Sequence, residues 1–348
     1  MRLLRPLLPA LLILALTASV APAQSQAPVI KLPGGGQIKV KLPQPKVPKG
    51  KGKKGKLKKP KRKTNTVQLG MADQKRDMFT DPRFLALGLK HARRSIGWDM
   101  FEYDWQIQDV DDWLNDARRA GVRPLITFAR SRVAEKIHLT PTRAQVLQAF
   151  RQFRARYPWV TDFVATNESN LNPPGAKNPA LAAQYYNDMR KACRHCKVAA
   201  ATILETPKKK QLEGWIKKFI KAAKHRPKYW ALHNYYGANW RSLSGTKRML
   251  KATKTGEIWV TEVGGLVARR TPNFVGKLKM PEGAANATRA TRFIFDRMLT
   301  VSPRIRRVYL YHWNASTNED TWDSALIGPD GQPRASLAVV QAKLKRKR

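Results

Sequence analysis

From residue 66 onward the chain alternates two kinds of hydrophobic pattern. Short runs rich in β-branched and aromatic residues predict strands over 66–73, 91–98, 123–130, 161–167, 197–205, 230–236, 257–262 and 307–314. Between them apolar residues recur every three or four positions, as in Val110, Trp113, Leu114 and Ala117, or Val146, Leu147, Phe150 and Phe153. This period predicts helices over 106–120, from Thr140-Pro141 onward, and over 179–192, 208–225, 243–253, 284–300 and 335–344. Thr140 is the expected cap of the second helix, with Pro141 in its first turn.

Strand ends recur about every 34 residues, enough for a strand, its loops and a crossover helix, so the strands are expected to run parallel. Eight such units over 66–342 have the count and size of a (β/α)8 TIM barrel. A doubly wound sheet shares the alternation but often places a G-x-G-x-x-G turn after its first strand. Here that turn reads Gly70-Met71-Ala72-Asp73-Gln74.

The pattern is different ahead of residue 66. Arg2 and Arg5 precede an apolar run from Leu7 to Val20, and Ala21-Pro22-Ala23 has the small-x-small form of a cleavage site. Residues 1–23 therefore read as a signal peptide of a secreted or cell-surface protein. A membrane anchor is the competing reading, but the run contains Pro9 and falls short of the ~20 residues that span a bilayer. Residues 24–65 lack aromatic residues and periodicity and read as a disordered Lys/Pro/Gly-rich linker.

Charge sharpens this picture. The 348 residues include 67 Lys and Arg against 24 Asp and Glu, a net charge of +43. No acid precedes Asp73, the linker carries much of the excess, and residues 343–348 form a basic tail. The barrel region keeps a surplus of cations of its own. Such a balance seeks polyanions, and export makes specific nucleic acid an unexpected partner. The linker is either a solvated tether or an anchor to an anionic cell-wall polymer.

A barrel does chemistry at the C-terminal ends of its strands. There the sequence places Asn167-Glu168 after the fourth strand, His233, Asn234 and Tyr235 at the sixth, Glu262 at the seventh and Trp313 at the eighth. Arg93 and Arg94 lie on the second. Two glutamates facing one mouth are what glycosidic cleavage requires: one protonates the leaving oxygen, the other attacks the anomeric carbon or activates water.

In these residues the chain resembles the clan A retaining glycoside hydrolases, over residues 66–342. That group ends its fourth strand in Asn-Glu, the Glu being acid/base, and its seventh in a nucleophilic Glu. Asn167-Glu168 and Thr261-Glu262-Val263-Gly264 match these places. The resemblance implies that Glu168 starts protonated and Glu262 ionised. Arg93 would keep Glu262 charged, with Arg94 as the spare candidate. Asn167 would donate to the sugar 2-hydroxyl, His233 and Tyr235 would stand beside the carboxylates, and Trp313 would be the apolar platform under the sugar. The group often continues Asn-Glu-Pro and often has His after its third strand; here Ser169 and Ala129-Arg130 occupy those places, which leaves the family within the clan open.

The expected activity is hydrolysis of a polysaccharide with retention by a monomer, without cofactor or metal. The alternative is a non-catalytic barrel that binds carbohydrate or cell wall. Cys193-Arg194-His195-Cys196 reads as a local disulfide, because zinc would need two further ligands at suitable spacing. Trp98, Trp105, Trp240 and Trp322 are further candidates for stacking on sugars. After the seventh strand, Arg269, Arg270, Lys277 and Lys279 would favour an anionic glycan, or share only the general basicity.

Overall fold

The computed structural model describes residues 29–31, 37–39, 67–171, 178–206, 209–270, 279–317 and 321–345. The chain divides into two units, Met1–Lys61 and Arg62–Arg348. In the first, Val29–Lys31 pairs antiparallel with Gln37–Lys39, Ile30 opposite Ile38. A pairing of three residues is too short to leave a periodic signal, so the linker reading did not anticipate it. The signal-peptide reading and the end of the basic tail lie outside the described residues.

The second unit is the expected barrel. Its strands are β1 (Gln68–Ala72), β2 (His91–Gly97), β3 (Arg123–Ala129), β4 (Asp162–Val164), β5 (Lys197–Ala199 and Thr202–Leu204), β6 (Tyr229–His233), β7 (Glu257–Val263) and β8 (Ile305–Tyr311). All neighbours pair in parallel, and β8 pairs with β1. The first half of β5 pairs with β4 and the second with β6, so the sheet begins and ends on one strand and closes through Ala200-Ala201. The longer helices are α1 (Pro82–Leu87), α2 (Asp104–Arg119), α3 (Arg143–Arg156), α4 (Pro179–Ala192), α5 (Lys209–Ala222), α6 (Ser244–Thr253), α7 (Ala284–Phe293) and α8 (Ala335–Lys345), and a single helical turn, Tyr235–Asn239, follows β6. Among the described residues no helix is long and apolar enough to cross a membrane.

Local chemistry explains these boundaries. In α2, Val110, Trp113, Leu114 and Ala117 are buried, with Asp104 in the first turn and Arg118 and Arg119 in the last, matching the helix dipole. Helix α3 starts two residues later than Thr140 would place it. Thr142 is the cap, because Gln145 sits three positions on and closes a reciprocal capping box. The expected helix over 284–300 changes to a π-turn at Ile294–Met298.

Apolar residues fill two layers. Outside the barrel, Trp113, Phe150, Phe153, Tyr186 and Trp230 join sheet to helices. Inside it, Ala72, Leu125, Val164, Ala199, Ala231, Trp259 and Tyr309 pack across the axis. At the N-terminal end of the lumen, Asp162 accepts from Arg123 (2.9 Å) and Arg307 (2.5 Å), and the Arg307 guanidinium lies 4.1 Å from the Trp259 ring centre. The interior is thus a packed core at this end.

Candidate active site

Glu262 owes its aim to an irregularity in β7. Val260 is level with Leu232 of β6 and Glu262 with His233, so Thr261 is an extra residue, a bulge that redirects the strand at its end. Glu168 sits in a turn just beyond β4, in the left-handed region at φ 43°, which non-glycine residues seldom occupy. Neighbours hold that turn. Ser169 N–H donates to Thr202 O (2.9 Å), Ser169 and Thr166 share a hydroxyl hydrogen bond, and the Asn170 amide both donates to and accepts from the backbone of Leu204 (2.9 Å each). Ser169 therefore supplies a local hydrogen bond where the clan often has Pro.

Alternation along β2 turns Arg93 into the barrel and Arg94 away from it. Arg93 is fully buried and donates three ways: to Thr127 Oγ1 (3.0 Å), to Asn167 Oδ1 (2.7 Å) and to a carboxylate oxygen of Glu262. Arg94 pairs with Asp109 and lies against Trp113, so it takes no part in the site. The other Glu262 oxygen accepts from the Tyr235 hydroxyl (2.8 Å). His233 Nδ1 is 2.9 Å from Glu168 Oε1 and 3.4 Å from Glu262 Oε2.

Burial pushes His233 down to about 3, with Arg93 adding to the shift and Glu262 opposing it. Its ring is therefore neutral. Nε2 is buried without a partner, and Nδ1 shares a hydrogen bond with Glu168. Burial and the adjacent Glu262 together raise the Tyr235 hydroxyl well above its ordinary value, so it remains a donor.

Glu168, His233 and Glu262 each bring one ligand-type atom within 4.8 Å of the others. A divalent cation would have to share Glu262 with the Arg93 guanidinium and the Tyr235 hydroxyl, which suits an acid–base pair better than a metal centre. The two carboxylates open into a cleft of about 460 Å³, bordered also by Asn167, Arg130, Ser95 and Tyr311.

Of the residues singled out in the sequence, Arg93, Asn167, Glu168, His233, Tyr235 and Glu262 converge. Trp313 does not. It is buried, its N–H donates to Asp73 (2.9 Å), its indole N–H donates to Asp81 (3.0 Å), and its ring packs edge-on to Phe84 at 5.5 Å. The chain leaves the sheet after Tyr311, so strand alternation no longer governs position 313. Tyr311 is the aromatic on the cleft, and it was missed. The signal was the end of the β8 alternation, which puts 307, 309 and 311 on the inner face. Trp322 stands beside Tyr235 (4.7 Å), and Trp105 and Trp240 are exposed, whereas Trp98 is buried. Arg269 pairs with Glu282 at 3.0 Å, Lys277 lies outside the described residues, and Cys193 and Cys196 form the expected disulfide.

The family described as glycosyl hydrolase catalytic core matches residues 101–339. The chain belongs to that family. It is a glycosidase, and the resemblance to the clan A glycoside hydrolases is borne out. No curated protein sequence matches. Among solved structures, a GH10 endoxylanase from a sugarcane soil metagenome superposes with a TM-score of 0.59 at 14% identity, over 80% of this chain and 96% of its own. Xylanase 10B of Thermotoga maritima gives 0.57 at 11%, over 81% and 95%. A fungal β-1,4-galactanase gives 0.56 at 15%, over 74% and 90%. At these identities the likeness is one of fold.

Proposed function

We propose that this glycosidase is secreted and cleaves O-glycosidic bonds of a polysaccharide with retention of configuration, Glu262 acting as nucleophile and Glu168 as acid/base. The observation that carries the reading is the approach of the two carboxylates, with oxygens within 4.8 Å of each other across one cleft. Retention needs carboxyl groups about 5–5.5 Å apart, whereas inversion needs about 6.5–9.5 Å to admit a water.

The surroundings divide the roles. Arg93 and Tyr235 stabilise and orient an anion at Glu262. Glu168 is half-buried and held through His233, which suits a group that exchanges protons with substrate and water. In the first step a Glu262 oxygen attacks the anomeric carbon while Glu168 passes its proton to the departing oxygen, leaving a glycosyl ester and an alcohol. In the second, Glu168 takes a proton from water, whose oxygen displaces the ester and restores both carboxyl groups. Asn167, its carbonyl oxygen taken by Arg93, has its amide N–H free to donate to a sugar hydroxyl.

Secretion rests on the run from Leu7 to Val20 and the Ala21-Pro22-Ala23 site, and N-terminal sequencing of exported protein tests it. The mechanism is tested by following the anomer of the first-formed product by NMR. The retained anomer is expected, and the inverted one would overturn the assignment.

A further inference from the structure

A second concavity lies at the opposite end of the barrel, a pocket of about 610 Å³ among the strand starts of β6, β7 and β8. Arg226, Lys228, Arg304 and Arg306 line it, against one acid, Glu257. From Glu257 to Glu262 is five residues of β7, roughly 16 Å along an extended strand, so this pocket and the catalytic mouth can be filled together.

Among the described residues Arg226, Lys228 and Arg306 make no ion pair, and Arg306 Nη1 is buried without an acceptor. Arg307, its neighbour on β8, is turned inward onto Asp162, so Arg306 has no carboxylate from the lumen. Glu257 accepts from the Trp259 indole (3.0 Å) rather than from these cations. Arg304 is a structural member of the rim, its guanidinium donating to Gly256 O (2.7 Å), Leu250 O (2.8 Å), Thr253 Oγ1 (2.7 Å) and Thr255 O (2.6 Å), and its ionisation is depressed by burial and then by Arg226. Like charges are thus held near one another in a concave site. This arrangement focuses a positive field, and Arg226, Lys228 and Arg306 are the cations left to meet anionic groups.

We propose that this pocket binds the anionic groups, carboxylate or sulfate, of an acidic polysaccharide. The proposal does not depend on the roles assigned to Glu168 and Glu262. A glycan is favoured over nucleic acid because the pocket offers no free ring for base stacking. Its aromatic, Tyr229, is packed on Trp259 at 4.7 Å between ring centres.

The test uses the full chain and three probes: heparin for sulfate, polygalacturonate for carboxylate and single-stranded DNA. Arg226→Gln/Lys228→Gln/Arg306→Gln is compared with Lys217→Gln/Lys218→Gln/Lys221→Gln, which removes the same charge from exposed positions of α5. At about 0.15 M salt the pocket variant should lose about tenfold or more in affinity for at least one glycan, as expected when charge-assisted hydrogen bonds are lost, and the α5 variant about twofold or less. Equal losses would overturn the proposal, since binding would then follow net charge. A selective loss on DNA as large as that on the glycans would overturn the choice of ligand. If the triple variant melts early, Arg226→Gln/Lys228→Gln, confined to exposed positions, is compared with Lys217→Gln/Lys218→Gln, which removes the same charge.

Discussion

Glu205, which follows β5, is a buried acid that the proposed chemistry does not use, and replacing it makes a quantitative test of the structure. Its carboxylate is 1% exposed. One oxygen accepts from Gly237 N–H (2.9 Å), the other has only the Gly245 backbone beside it, and Arg248 is no nearer than 4.0 Å. Glycine at 237 and 245 leaves the room it fills, since a Cβ at either would overlap it. Burial pushes Glu205 up from 4.5 to about 7, with Gly237 and Arg248 offsetting only part of the cost. Below about pH 4.5 folded and unfolded chains both hold this proton. Between there and about pH 7 the unfolded chain releases it first, so folding takes up a proton and stability falls as pH rises. The accumulated loss above pH 7 is about 3 kcal/mol, at roughly 1.36 kcal/mol per unit. Glu205→Gln keeps the acceptor for Gly237 and removes the titration. Urea unfolding should find the variant little changed at pH 4.5 and about 3 kcal/mol more stable than wild type at pH 8. His91 and His233, lowered to about 4 and about 3, add stability as pH rises toward 6.5, but they are common to both proteins and cancel in the difference. A variant that tracks wild type within about 0.5 kcal/mol at both pH values would refute the reasoning, because Glu205 would then ionise in place without penalty.

Glu262→Ala should abolish turnover, whereas Glu168→Ala should retain activity on substrates with good leaving groups, which need little protonation; equal losses across a leaving-group series would contradict the roles. Arg93→Met leaves Glu262 without its buried cation and should lower kcat/KM by about a hundredfold or more, with Arg93→Lys losing less; unchanged kinetics would remove Arg93 from the mechanism. Tyr311→Ala should raise KM, while Trp313→Phe should leave KM alone and lower stability by about 1 kcal/mol through the lost bond to Asp81; the reverse pattern would return Trp313 to the substrate.

The sequence made the barrel legible because each of its signals is local. The period of Val110, Trp113, Leu114 and Ala117 is a property of one helix, and eight repeats of strand and helix leave few ways to close. The two glutamates were legible because strand ends are where a barrel's loops meet. What failed needed information from outside the element. Placing the α3 cap at Thr142 rather than Thr140 depended on Gln145, a side chain three residues on. Splitting β5 at Ala200-Ala201 depended on its partners, since each half answers to a different neighbour.

The aromatic of β8 carries the same point into the site. A tryptophan near the end of the eighth strand fitted the clan, and by counting alone 313 has the same parity as 309 and 311. Parity holds only while a strand is paired, and the pairing of β8 with β1 ends at Tyr311 opposite Ala72. Beyond it, Asp73 and Asp81 capture the backbone and indole N–H groups of Trp313 and draw the ring onto Phe84. Two buried hydrogen bonds outweigh a pattern that no longer has a sheet to enforce it. The same reasoning explains why Glu262 succeeded where Trp313 did not. The Thr261 bulge also breaks the count, but it does so inside a strand paired on both sides, where Arg93, His233 and Tyr235 are already in place to receive the carboxylate.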